Sequence, residues 1–173
     1  MDRLSPAEMG SPLMNVEYVS TSPEETQALG QKIGERLTGG EVILLSGDLG
    51  AGKTLFTRGV AEGIQPGLSS EVVSPSFTLV NLYQARLDII HVDLYRLDSD
   101  EIYTIGLEDL MDTTRIVVVE WAERARDFFT GDVVEITLDY LGENARKITI
   151  ETELPYLEVV ADTLVGGTEA FRD

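Results

Sequence analysis

The chain has 173 residues, of which 43% are hydrophobic, with 31 acidic against 13 basic side chains and a net charge of -18. That length fits one domain, and that apolar share builds a packed core, which excludes a disordered polymer. There is no cysteine and no apolar run near the roughly 20 residues of a bilayer span, so disulfides, thiolate metal sites and a transmembrane helix are excluded, and a cytoplasmic protein with no membrane partner is expected.

Residues 1–14 lack periodicity and an apolar h-region, and read as a loose leader rather than a secretory signal. "NVEYVS" (15–20) alternates as a strand does. A helix follows: Ser22 caps it, Pro23 takes its first position and Glu25 closes a capping box. Leu29, Ile33 and Leu37 give it one apolar face, and Gly39-Gly40 stops it. "EVILLS" (41–46) is a continuous apolar run, as in a strand buried on both faces. After a glycine-rich stretch, Phe56, Val60 and Ile64 mark a second helix, ended by Gln65-Pro66-Gly67.

"FTLVNLYQ" (77–84) and "LDIIHVD" (87–93) predict two strands joined near Ala85-Arg86. Ile102, Ile105 and Leu110 predict a helix after Asp98, weakened by Gly106. "RIVVVE" (115–120) is another buried strand, and "WAERARDFF" (121–129) a short helix, whose Arg124 and Arg126 read as a solvated face. "DVVEITLDY" and "ARKITIETE" flank Gly142-Glu143-Asn144 as an antiparallel hairpin. No pattern is evident from Leu154 onward. The expected fold class is α/β: a three-layer sandwich with a mostly parallel, mixed central sheet. It divides into a leader (1–14), a folded domain (15–153) and a tail (154–173).

"GDLGAGKT" (47–54) matches G-x-x-x-x-G-K-[ST]. Glycines let the backbone wrap a phosphate and aim its N–H groups inward, and the positive end of the following helix faces the same anion. Lys53 would reach the β and γ phosphates, and Thr54 would ligate Mg²⁺. The nucleotide-binding residues expected here are Asp48, Leu49, Gly50, Ala51, Gly52, Lys53, Thr54 and Leu55. A chance glycine turn is the competing reading, and the strand before and helix after the motif favour the phosphate loop, so the α/β sandwich is expected to be P-loop NTPase-like and residues 15–153 a P-loop ATPase domain.

Such a loop needs a carboxylate on a neighbouring strand for the metal and a group to place the attacking water. Asp93 and Glu120 each end an apolar strand, where ligands of open α/β sheets sit. Each competes with the reading of a plain strand-end cap. His91 would share Asp93's strand face, a placement that serves a structural histidine and a catalytic one equally. On sequence alone, Ser74–Thr78 is a hydroxyl-rich turn and Trp121 a core anchor or stacking platform.

Taken in order, "GDLGAGKT", "SPSFTLVNLY", "HVDLYR" and "VVVEWAER" resemble the TsaE family, also called YjeE, over about residues 16 to 150. The resemblance implies a small bacterial P-loop ATPase that binds ATP and Mg²⁺ and hydrolyses ATP slowly alone. It implies work with TsaD and TsaB in making N6-threonylcarbamoyladenosine in tRNA, with hydrolysis resetting that complex and tRNA met only indirectly. It places Thr54 and Glu120 at the metal, Asp93 as the second essential acid, and Lys53 with both in catalysis. Ser76 falls in a nucleotide-sensing loop, and Trp121 lies near the nucleotide. The family's loop more often reads Ser-Pro-Thr-Phe; Ser76 keeps the hydroxyl and loses the methyl. The acidity fits a chain that docks a basic partner rather than gripping tRNA itself. Two other functions share the P-loop: a small-molecule kinase, for which no arginine-rich lid is evident, and a nucleotide-gated adaptor with incidental hydrolysis.

Overall fold

A computed structural model describes residues 13–165. The expectation for residues 1–12 therefore lies outside the described residues, as does that for 166–173. Strand β1 runs over Met14–Ser20. Helix α1 spans Pro23–Gly34, with the Ser22 side chain accepting from the Glu25 N–H. The expected box is shifted by one residue: the Glu25 carboxylate accepts from the N–H and hydroxyl of Thr21, not of Ser22. The helix also ends earlier than expected. Its last turn tightens into bonds from Arg36 N–H to Ile33 O and from Leu37 N–H to Gly34 O, so Leu37 is buried but lies beyond the α-helix.

Strand β2 is Val42–Ser46 and helix α2 is Lys53–Ile64. The two helices meet through glycines spaced four apart on each, Gly30 and Gly34 on α1, Gly59 and Gly63 on α2. A Cβ on Gly59 would stand 2.1 Å from the carbonyl oxygen of Gln27, and one on Gly34 would stand 2.2 Å from that of Val60. The backbones therefore touch directly, which fixes α2, and with it Lys53 and Thr54, against α1.

Strands β3 (Val80–Tyr83) and β4 (Ile89–Asp93) form the expected pair, but β3 is shorter than the apolar run. Leu79 adopts φ 68°, and its N–H returns to Pro75 O at 2.8 Å, so residues 77–79 turn instead of extending. The helix expected after Asp98 is two short 3-10 turns, Glu101–Thr104 and Leu107–Asp109, parted by Gly106 at φ 73°. Their apolar residues Ile102 and Leu107 are still buried. Strand β5 is Ile116–Glu120. The helix expected over 121–129 is likewise two 3-10 turns, because Trp121 at φ 59° and Ala125 at φ -149°, ψ 43° each break the helical path. Strands β6 (Val133–Tyr140) and β7 (Arg146–Thr152) make the hairpin. The stretch after Leu154, patternless in sequence, forms a 3-10 turn at Pro155–Leu157 and helix α3 at Glu158–Val165; Leu157 and Val160 join the core.

One mixed sheet carries all seven strands in the order β1-β7-β6-β2-β5-β4-β3. Strands β1, β2, β4, β5 and β6 run one way, and β3 and β7 the other. Helices α1 and α2 cover one face with Leu29, Ile33, Phe56 and Val60. The 3-10 turns cover the opposite face with Ile102, Leu107 and Phe129, completing three layers. Parallel pairing brings Asp93 opposite Glu120 and Glu120 opposite Leu45, so both acids stand beside the end of β2, where the phosphate loop begins.

Candidate functional site

The loop between β2 and α2 turns on Gly50 at φ 77°, a left-handed backbone that favours glycine, and the Tyr140 hydroxyl lies close to this turn. Gly52 precedes α2 without any side-chain cap, so no side chain takes up the first N–H groups of this 12-residue helix, an arrangement that suits an anion. Lys53 is 6% exposed. Its Nζ donates to Gly47 O at 2.5 Å and to Asp48 O at 2.9 Å, and lies 4.0 Å from the centre of the Trp121 ring. Burial pulls its pKa below the ordinary lysine value, and the carboxylates of Glu120, Glu123, Asp93 and Asp48 oppose that shift.

Thr54 Oγ1 donates to Glu120 Oε1 at 2.6 Å. The other carboxylate oxygen of Glu120 lies 3.3 Å from His91 Nε2. A carboxylate only accepts, so Nε2 carries the proton of this bond. Asp93 accepts from the Tyr95 N–H at 2.8 Å and the Ser74 hydroxyl at 3.3 Å, tying the strand end to the Ser74–Thr78 turn. The Trp121 ring packs 4.9 Å from that of Tyr95.

Apart from the fully buried His91, these groups open on one cleft of about 610 Å³. Of the residues expected from sequence, Leu49, Gly50, Ala51, Gly52, Lys53, Thr54, Leu55, Ser76, Asp93, Glu120 and Trp121 line it. Asp48 does not line it and contributes its main-chain carbonyl to Lys53 instead. Arg58, Arg96 and Arg146 also line the cleft, and sequence reasoning gave them no place there. For Arg96 the signal was available: it closes the HVDLYR stretch, just past the end of β4. Arg146 becomes visible only through hairpin register, which pairs it with Tyr140.

Among the described residues no three His, Cys, Asp or Glu side chains form a cluster suited to a metal. Magnesium needs no such cage: it keeps waters and shares substrate phosphates, taking one or two protein oxygens. The Thr54 hydroxyl and the Glu120 carboxylate, with Asp93 in the adjoining register position, are hard oxygen donors of that type.

A family model described as Threonylcarbamoyl adenosine biosynthesis protein TsaE matches residues 20–148. This chain belongs to the TsaE family. Its relatives include the tRNA threonylcarbamoyladenosine biosynthesis protein TsaE of Treponema pallidum, 38% identical over 133 residues, covering 76% of this chain and 97% of that one. The protein of the same name from Bacillus subtilis is 34% identical over 138 residues, covering 79% of this chain and 85% of the relative. The crystal structure of Bacillus subtilis YdiB superposes with a TM-score of 0.69 at 28% identity, covering 90% of this chain and 97% of that one. The TsaE family is one of tRNA threonylcarbamoyladenosine biosynthesis, and the P-loop NTPase-like α/β fold expected from the sequence is the fold observed.

Proposed function

We propose that this TsaE-family chain is the Mg²⁺-dependent ATPase component of bacterial tRNA N6-threonylcarbamoyladenosine synthesis, acting in the cytoplasm with TsaD and TsaB to support repeated turnovers. The observation that carries this reading is the 2.6 Å bond from the Thr54 hydroxyl to Glu120, at the foot of a glycine loop whose lysine lies within reach. The charge distribution supports it: in a chain of net charge -18, Lys53, Arg58, Arg96 and Arg146 line the cleft against the carboxylates of Asp93, Glu120 and Glu143, a local field far less negative than the chain as a whole and one that favours an anion.

Thr54 and Glu120 would hold Mg²⁺, which when bound neutralises charge on the phosphates. Lys53 is preplaced: exchanging its two neutral carbonyl acceptors for phosphate oxygens strengthens its bonds, since acceptor as well as donor is then charged. Asp93 is fixed by the Tyr95 N–H and linked to the turn that bears Ser76, a position from which a carboxylate orients a water against the terminal phosphate. Leu49 and Tyr95 line the cleft yet stay exposed, and the exposed Phe77 ring lies under the Arg96 guanidinium, apolar surface suited to partners. The partners, not this acidic chain, would bind tRNA.

The test combines hydrolysis with capture. ATP hydrolysis should require Mg²⁺, and Asp93→Asn should lower kcat by about 10²-fold while ATP still binds. Immobilised TsaD–TsaB should retain the chain in a manner that depends on ATP against ADP. No capture in any nucleotide state would overturn the assignment to that complex.

A further inference from the structure

Three consecutive carbonyls of the phosphate loop are held from outside by one cross-strand pair of the β6–β7 hairpin. The Tyr140 hydroxyl donates to Leu49 O at 2.7 Å. Arg146 Nε donates to Ala51 O at 3.1 Å, and its Nη2 approaches Gly50 O at 3.5 Å. Tyr140 and Arg146 are opposite each other in the hairpin register, and the guanidinium lies 4.2 Å from the centre of the tyrosine ring. Arg146 is anchored in turn by the carbonyls of Gly142, Glu143 and Ala145, all reached by Nη1.

In a trans peptide the N–H points away from the C=O of the same plane. Holding Leu49 O against the hairpin therefore turns the Gly50 N–H the other way, and holding Ala51 O does the same for Gly52. The amide between them is internal to the loop, since Ala51 N–H donates to Asp48 O at 3.0 Å. Gly50 and Gly52 both line the cleft. The Arg146 guanidinium is largely occupied by main-chain carbonyls, which makes it a poor direct ligand for a phosphate.

We propose that Tyr140 and Arg146 form a positioning clamp that presets the Gly50 and Gly52 amides toward the nucleotide phosphates. This rests on the ATP reading and adds residues outside the glycine motif to it. The clamp lowers the cost of binding because the loop is already ordered before the anion arrives.

Tyr140→Phe is the sharpest probe, because its hydroxyl reaches Leu49 O and the residue is 46% exposed, so the core is untouched. Calorimetric titration should show ADP and ATP both weakened by about three- to tenfold in Tyr140→Phe, with binding stoichiometry still near one. Arg146→Ala should lose more, and Arg146→Lys should recover little, since an ammonium lacks the fork that spans two carbonyls. Steady-state kinetics should place the loss in KM for ATP rather than in kcat. If Tyr140→Phe and Arg146→Lys both bind ADP and ATP as tightly as the wild type, the clamp is refuted. If the wild type itself binds neither nucleotide, it is the ATP reading that fails.

Discussion

Glu120 has one bonding partner for each oxygen, Thr54 on the phosphate-loop helix and His91 on the neighbouring strand. His91 is fully buried, and its Nδ1 is the one buried side-chain nitrogen or oxygen without a partner among the described residues. An unpaired buried acceptor costs stability, and it is tolerated here at a group that orients the candidate metal carboxylate. His91→Phe removes both the orphan nitrogen and the donor to Glu120, two effects of opposite sign on stability. The expected outcome is a melting temperature close to wild type with ATP hydrolysis lowered by about 10–100-fold. A parallel fall in both, followed by thermal melts and initial rates, would make His91 merely structural. Sequence left this residue undecided for a physical reason. Period-two spacing tells which side of β4 it faces, but its partner comes from β5, and the pairing of β4 with β5 is not written in either segment.

Elements with strong local signals were legible. The cap at Ser22, the proline after it, and the unbroken apolar runs of β2 and β5 specify their structures within a few residues. Residues 98–110 and 121–129 were misread because an apolar residue every three or four positions suits 3-10 turns as well as an α-helix, and Gly106 and the left-handed Trp121 decide between them. The glycines of α1 and α2 carried a signal that helix periodicity overlooks. In an exposed helix, replacing glycine by alanine gains about 1 kcal/mol. At Gly59 the added methyl would meet the Gln27 carbonyl at 2.1 Å, and the obstacle is backbone, which cannot rotate away. Gly59→Ala should therefore destabilise the chain by about 1–3 kcal/mol, read from the urea midpoint. A stabilised variant would show that the helices separate at little cost.

At the scale of the whole molecule, Glu41 joins distant parts of the chain at the end of the sheet remote from the cleft. It is fully buried and accepts from the N–H and hydroxyl of Thr38, the N–H of Gly39 and the hydroxyl of Tyr156. Burial alone would raise its pKa, but those donors outweigh burial and hold it below the ordinary value. Burial and the adjacent Glu41 push the Tyr156 hydroxyl well above the usual tyrosine value, so it remains a donor through the neutral range. A depressed carboxyl pKa contributes stability that is complete above the unfolded value of about 4.3 and is lost as pH falls through the folded one. Glu41→Gln should melt below wild type at pH 7, and the gap should close on acidification; a gap constant down to about pH 3 would contradict this. Tyr156 lies in the stretch where sequence showed no pattern, because its role is set by a partner 115 positions away. The glycine contact between α1 and α2 has a mechanical consequence as well. A joint made of main chain on main chain contains no rotamers to take up a displacement, so the two rods act as a single stiff lever. A displacement of α1 must therefore carry α2 with it, and with α2 the base of the phosphate loop.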